Sequence, residues 1–141
     1  MRPAYRARQV VNALNLSTPL GLAVAKASGA TLRRGEDGLV LATGAQGSFP
    51  RADAFTVGNV VVLRTATPSA ELLRHESVHA TQWACCVVLF LPLYLLAAAW
   101  SYARTGDHWS RNTFERRAGL ADGGYVERPP RRPRTRPRTR T

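Results

Sequence analysis

The chain has 141 residues, enough for one ordinary domain and too few for two. Apolar residues make up 45% of it, which excludes wholesale disorder. Its two cysteines are adjacent, Cys85 and Cys86, which excludes a disulfide-stapled secreted mini-protein and points mildly to a reducing compartment. The formal charge of +11 is uneven: seven arginines and no acid lie between Arg128 and Thr141, leaving the body only mildly basic. Lys26 is the sole lysine, and so strong an Arg skew beside abundant Ala and Gly fits GC-rich codon usage better than a selected DNA-binding face. An all-Arg tail can still hold an anionic partner.

Arg2, Arg6 and Arg8 ahead of a semi-apolar stretch have the outline of a signal peptide, but Asn12, Asn15, Pro19 and Lys26 interrupt the apolar run. Two short helices fit better. The first is predicted from about Tyr5 to Leu14; the second follows Ser17 as N-cap, with Pro19 in its first turn and Gly29 as its stop. Thr31 to Arg34 and Leu39 to Thr43 flank a Gly-Glu-Asp-Gly turn and predict a hairpin. Ala54 to Thr65 is rich in β-branched residues and predicts the strongest strand, with a bulge or turn at Gly58-Asn59. Pro68 and Ser69 then open a helix capped by Ser69. Ala84 to Ala103 is twenty residues without a formal charge, interrupted by Pro92. A last helix is predicted from Trp109 to Leu120, ended by Gly123-Gly124. The Pro-Arg tail is expected to be extended and to pack on nothing.

The motif that carries chemistry is His75-Glu76-Ser77-Val78-His79, an H-E-x-x-H sequence on the helix after Ser69. Residues four apart share a helix face, so both imidazoles can reach one Zn²⁺ at about 2.0–2.1 Å. Glu76 then sits beside the open position of the metal, where it can take a proton from zinc-bound water. A catalytic zinc needs a third protein ligand. Downstream, the residues able to supply it are Asp107, His108, Glu115, Asp122 and Glu127. His108 is a candidate ligand or transition-state donor, Gln82 a partner for a ligating histidine, and Tyr125 a group that could polarise a substrate carbonyl.

RHESVHATQW, with Gln82 three residues past the second histidine, resembles the metal helix of small bacterial zincin-like proteins. The strand from Phe55 to Leu63 is placed like the edge strand that lines a zincin cleft. LFLPLYLL (Leu89 to Leu96) and NTFERRAG (Asn112 to Gly119) resemble later landmarks of gluzincin-type peptidases. In such proteins a glutamate on a downstream helix is the third zinc ligand, and the resemblance implies that role for Glu115. The fold expected is α+β: residues 1–126 as a single zincin-like domain with N-terminal helices, a short sheet, the H-E-x-x-H helix and an apolar helical hairpin, with 127–141 a disordered tail.

The hairpin follows from the metal. Twenty residues at 1.5 Å each reach about 30 Å, the thickness of a bilayer core. One straight span would put His75 and His79 on one side and Glu115 on the other. Pro92 lies thirteen residues past His79 and twenty-three before Glu115, and a break there lets both ends return to the metal. Such a hairpin is either core or dips into one leaflet, with Trp83, Trp100, Tyr102 and Trp109 suited to its interface.

The function expected is a zinc-dependent, metallopeptidase-like hydrolase with Glu76 as general base and a peptide or protein substrate. Its expected location is the cytoplasm, associated through residues 84–103 with the inner membrane face, with an anionic partner for the 128–141 tail. The alternatives are a non-catalytic zincin-like binding module and a basic protein that acts on membranes or nucleic acid through the tail.

Overall fold

The computed structural model describes residues 2–46 and 53–131. Helices α1 (Pro3–Leu14) and α2 (Ser17–Ala27) precede strands β1 (Thr31–Arg34), β2 (Val40–Thr43), β3 (Ala54–Val57) and β4 (Val60–Leu63). Helices α3 (Ala70–Cys86), α4 (Phe90–Thr105) and α5 (Thr113–Ala118) follow, so the fold is mixed α+β. The sheet order is β1-β2-β4-β3. Its two antiparallel hairpins, β1–β2 and β3–β4, are joined by a parallel pairing of β2 with β4, which leaves β3 at an edge.

The Val-Val-Val-Leu of β4 has no polar face because both faces are covered. Val60 and Val62 pack with Ala25 of α2, whereas Val61 and Leu63 pack with Ala80, Leu72 and Leu73 of α3. The predicted strand from Ala54 to Thr65 is therefore two strands. Gly58, at φ 61°, opens the two-residue turn between them, and a Cβ there would meet the Thr18 backbone nitrogen at 2.4 Å. Ser17 does not cap α2. It is already helical, its hydroxyl bonds back to the Asn12 carbonyl, and Leu16 precedes it in a left-handed conformation.

The apolar hairpin exists, but its corner is not at Pro92. The chain reverses at Val87 (φ 52°, ψ −133°), and a short 3-10 turn over Val87–Leu89 leads into α4. The reversal lets Phe90 pack on Trp83 (ring centroids 4.8 Å), on Phe114 (5.4 Å) and beside His79 (6.4 Å). Pro92 falls in the first turn of α4, where a backbone N–H has no helical acceptor and its loss is harmless. The stretch Ala70–Thr105 thus satisfies the length and hydropathy of a membrane span without being one straight rod.

Two boundaries near the C-terminus differ from those predicted. Asp107 folds residues 107–110 into a turn by accepting from the backbone N–H groups of Trp109 and Ser110, so α5 begins only at Thr113, capped by Asn112, and ends at Gly119. The basic segment also packs over its first residues. The Arg128 N–H donates to Ser110 Oγ, the Arg131 N–H to the Arg104 carbonyl, and the Arg131 guanidinium lies 5.7 Å from the Tyr102 ring centroid. Residues 132–141 lie outside the described residues.

Candidate metal centre

Helix α3 is fixed at both ends before it presents any chemistry. Ser69 Oγ accepts from the Leu72 N–H at 3.1 Å, a cap worth about 1 kcal/mol. Near the other end, Trp83 Nε1 donates to the Thr56 carbonyl of β3 at 2.8 Å, and Asn12 of α1 donates to the Ala80 carbonyl at 2.9 Å. Between these anchors His75, Glu76 and His79 are all buried. Helix α5 brings buried Glu115 to the same place, and the 35 residues of chain between His79 and Glu115 are closed by the hairpin corner.

The His75 and His79 Nε2 atoms are 3.0 Å apart, His75 Nε2 is 3.2 Å from Glu115 Oε2, and His79 Nε2 is 3.6 Å from Glu115 Oε1. Ligands of a tetrahedral zinc at bonds of about 2.05 Å stand about 3.3 Å from one another, close to the separations of His75 Nε2 from His79 Nε2 and from Glu115 Oε2.

The hydrogen-bond network says which atoms carry protons. Gln82 Nε2 donates to the Phe114 carbonyl at 3.0 Å, which orients the amide and turns its oxygen toward His79. His79 Nδ1 must therefore be the donor to Gln82 Oε1, at 2.8 Å. His75 Nδ1 likewise donates to the Gly119 carbonyl at 2.9 Å. Neutral rings in these tautomers turn both Nε2 lone pairs toward each other. Glu115 Oε2 joins them and has no hydrogen-bond partner, while Oε1 accepts from the Tyr94 hydroxyl. Three buried electron-pair donors converging on one point repel unless a cation or proton lies among them. The residues present fit a metal ion such as zinc.

Without a metal, the shifts of the buried groups favour a proton among the three donors. Burial raises the Glu115 carboxyl, but its contacts with His75, His79 and Tyr94 outweigh burial and hold it well below the usual carboxylate range. Burial pushes the Tyr94 hydroxyl up and Glu115 adds to the shift, so it stays a donor. Burial lowers His79, yet its contact with Glu115 prevails and leaves it raised. Glu76 is shifted upward by burial, although His79 and the 2.6 Å hydrogen bond from Thr56 Oγ1 to its Oε2 oppose the shift.

The other predicted residues divide. Gln82 buttresses His79 as described. Tyr125 lies beside His75, with ring centroids 6.0 Å apart, and stacks on Trp109 at 5.0 Å. His108 is not with them; it is exposed and stacked on Tyr102 at 4.8 Å. Among the remaining acids, Asp107 is occupied by its turn, Asp122 pairs with Arg74 at 3.0 Å, and Glu127 pairs with Arg116 at 2.6 Å. Tyr94 is the member that the sequence did not single out. Its only signal was a phenol within the apolar stretch Leu89 to Leu96.

The centre forms part of the wall of a cavity of about 680 Å³ that is mostly apolar. Thr56 and Val57 of β3, Leu91 and Leu95 of α4, and Tyr125 contribute to the same wall. Gly123 closes over His75: a Cβ at that position would stand 2.6 Å from the imidazole Cε1. No family model matches this chain, and no curated protein or solved structure matches it significantly.

Proposed function

We propose that the chain is a small zincin-like, zinc-dependent hydrolase of the peptidase type. The observation that carries this reading is the convergence of two Nε2 lone pairs and the unpartnered Glu115 Oε2, with Glu76 on the adjacent helical position. His75, His79 and Glu115 would hold the metal, which when bound supplies a Lewis acid that acidifies water and polarises a carbonyl. Glu76 is not a ligand in this scheme. Thr56 fixes its Oε2, and Oε1 receives the proton of the attacking water and returns it to the leaving amine. Burial of Glu76 favours a basic carboxylate, which suits that exchange. Gln82 and the Gly119 carbonyl lock the imidazole tautomers, Tyr94 orients Glu115, and the Tyr125 ring beside His75 can bear on the substrate carbonyl.

The test separates the two carboxylates. Glu76→Gln is expected to keep zinc and thermal stability while lowering hydrolysis of a peptide library by at least ~100-fold, because an amide cannot accept the proton. Glu115→Gln is expected to weaken zinc binding itself. Equal turnover by wild type and Glu76→Gln contradicts the assignment. Zinc binding without turnover in either protein moves the chain to a non-catalytic metal-stapled module.

A further inference from the structure

A helix on the outside of a water-soluble body keeps one stripe apolar and turns charge outward. Helix α4 does not. Phe90, Ala98, Ser101 and Thr105, its buried positions, fall with half-buried Tyr94 in one narrow stripe. The rest of its circumference carries no charged side chain before Arg104. Val88, Leu89, Leu91, Leu95, Leu96 and Trp100 are each between 51% and 72% exposed. So continuous an apolar surface implies an occupant.

Two observations choose it. First, polarity rises along a single axis: the apolar tip at Val88 and Leu89, then Trp100 and Tyr102, then Arg104 and Arg131. The last two lie over those rings, at 5.3 Å from Trp100 and 5.7 Å from Tyr102. A bilayer leaflet has that order along its normal, from hydrocarbon through an aromatic interface to anionic headgroups. An interface between two copies would instead ring its apolar centre with a polar rim. From Val88 to Trp100 is about 18 Å of helix at 1.5 Å per residue. Half of a bilayer core is about 15 Å, enough to take the tip and the free side of α4. Phe114 packs on Phe90 and Tyr94 and holds α5 with its arginines against the opposite side of the helix. Second, Leu91 and Leu95 of this face, with Leu20 and Val24 of α2, also line the cavity that holds the metal centre.

We propose that the Val87–Leu89 turn and α4 insert into an anionic bilayer leaflet, and that the cleft takes from it a polypeptide substrate whose apolar segment lies in the membrane. The substrate half rests on the hydrolase reading; the docking half does not. Membrane docking also keeps the apolar surface away from water without any further protein partner.

The test uses flotation of the zinc-loaded full chain with phosphatidylcholine vesicles, with and without about 30% phosphatidylglycerol. Wild type and Glu76→Gln are expected to float equally with the anionic vesicles. Val88→Asp/Leu96→Asp is expected to bind roughly tenfold less or weaker while keeping its zinc, since neither side chain touches the centre. Flotation that survives the double substitution, or that does not depend on phosphatidylglycerol, overturns the docking. So does a dimer in vesicle-free solution that the same double substitution dissolves. For the substrate half, an apolar peptide inserted in the vesicles should be cut by wild type and not by Glu76→Gln. Cleavage of water-soluble peptides alone overturns that half, and docking without any cleavage removes the hydrolase reading while leaving the docking in place.

Discussion

The tautomers of two histidines decide what the centre can hold. Each Nδ1 proton is committed to a carbonyl oxygen, one from Gly119 and one from Gln82, so each Nε2 is left to bind a cation. Tyr94 completes the arrangement by occupying Glu115 Oε1 and leaving Oε2 for the same task. A hydrogen bond to a buried carboxylate is worth about 1.5–3 kcal/mol, so Tyr94→Phe is expected to weaken zinc affinity by roughly tenfold. Competition with a chromophoric chelator measures it, and unchanged affinity would remove Tyr94 from the centre. His75, Glu76 and His79 were legible in the sequence because helical periodicity alone places them on one face. Gln82 was legible for the same reason, three residues on. Tyr94 was not, because its contact with Glu115 exists only once the chain has reversed at Val87.

That reversal is the element on which the site depends. Val87 has φ 52° and ψ −133°, a conformation at home in glycine and strained in a β-branched residue. Val87→Gly is expected to stabilise the protein by about 1 kcal/mol, the relieved strain exceeding the added backbone entropy of the unfolded chain. Thermal unfolding in detergent of both proteins checks this, and a lower melting temperature in the variant would contradict the strained corner. The sequence placed the corner at Pro92 because proline breaks helix interiors. What decides it is the docking of Phe90 against Trp83 and Phe114, a contact between segments distant in sequence that leaves Pro92 harmlessly in a first turn. The α1, α2 and β1–β2 elements were readable from local signals. The parallel pairing of β2 with β4 was not, since no turn joins those strands and only the covering of both faces by α2 and α3 favours it.

Across the whole molecule the buried cluster links protons, and the proposed metal, to stability. In metal-free protein the raised His79 contributes stability that is fully present below its unfolded pKa and is lost as pH rises through the folded value. Glu115 is depressed, so its contribution is present above its unfolded pKa and is lost only as pH falls well below the usual carboxylate range. Glu76 is raised by burial and costs stability once pH rises past its unfolded pKa. The His79 and Glu76 signs make chelator-treated protein more stable near about pH 5.5 than near about pH 8, while the Glu115 contribution is the same at both. Zinc requires deprotonated ligands, so its stabilising increment should grow over the same interval. Melting temperatures with and without chelator at both pH values test this, and an increment that shrinks with rising pH would contradict it.

The arrangement of the sheet, the corner and the short α5 serves to bring three donors to one point. Elemental analysis of the purified full chain measures directly whether a metal binds there. Wild type and Glu76→Gln are expected to carry about one zinc per chain, and His75→Ala, His79→Ala and Glu115→Ala far less, because two remaining ligands make a poor site. Full zinc retention in all three alanine variants, or no zinc in wild type after growth with ample metal, would contradict the metal centre on which the account rests.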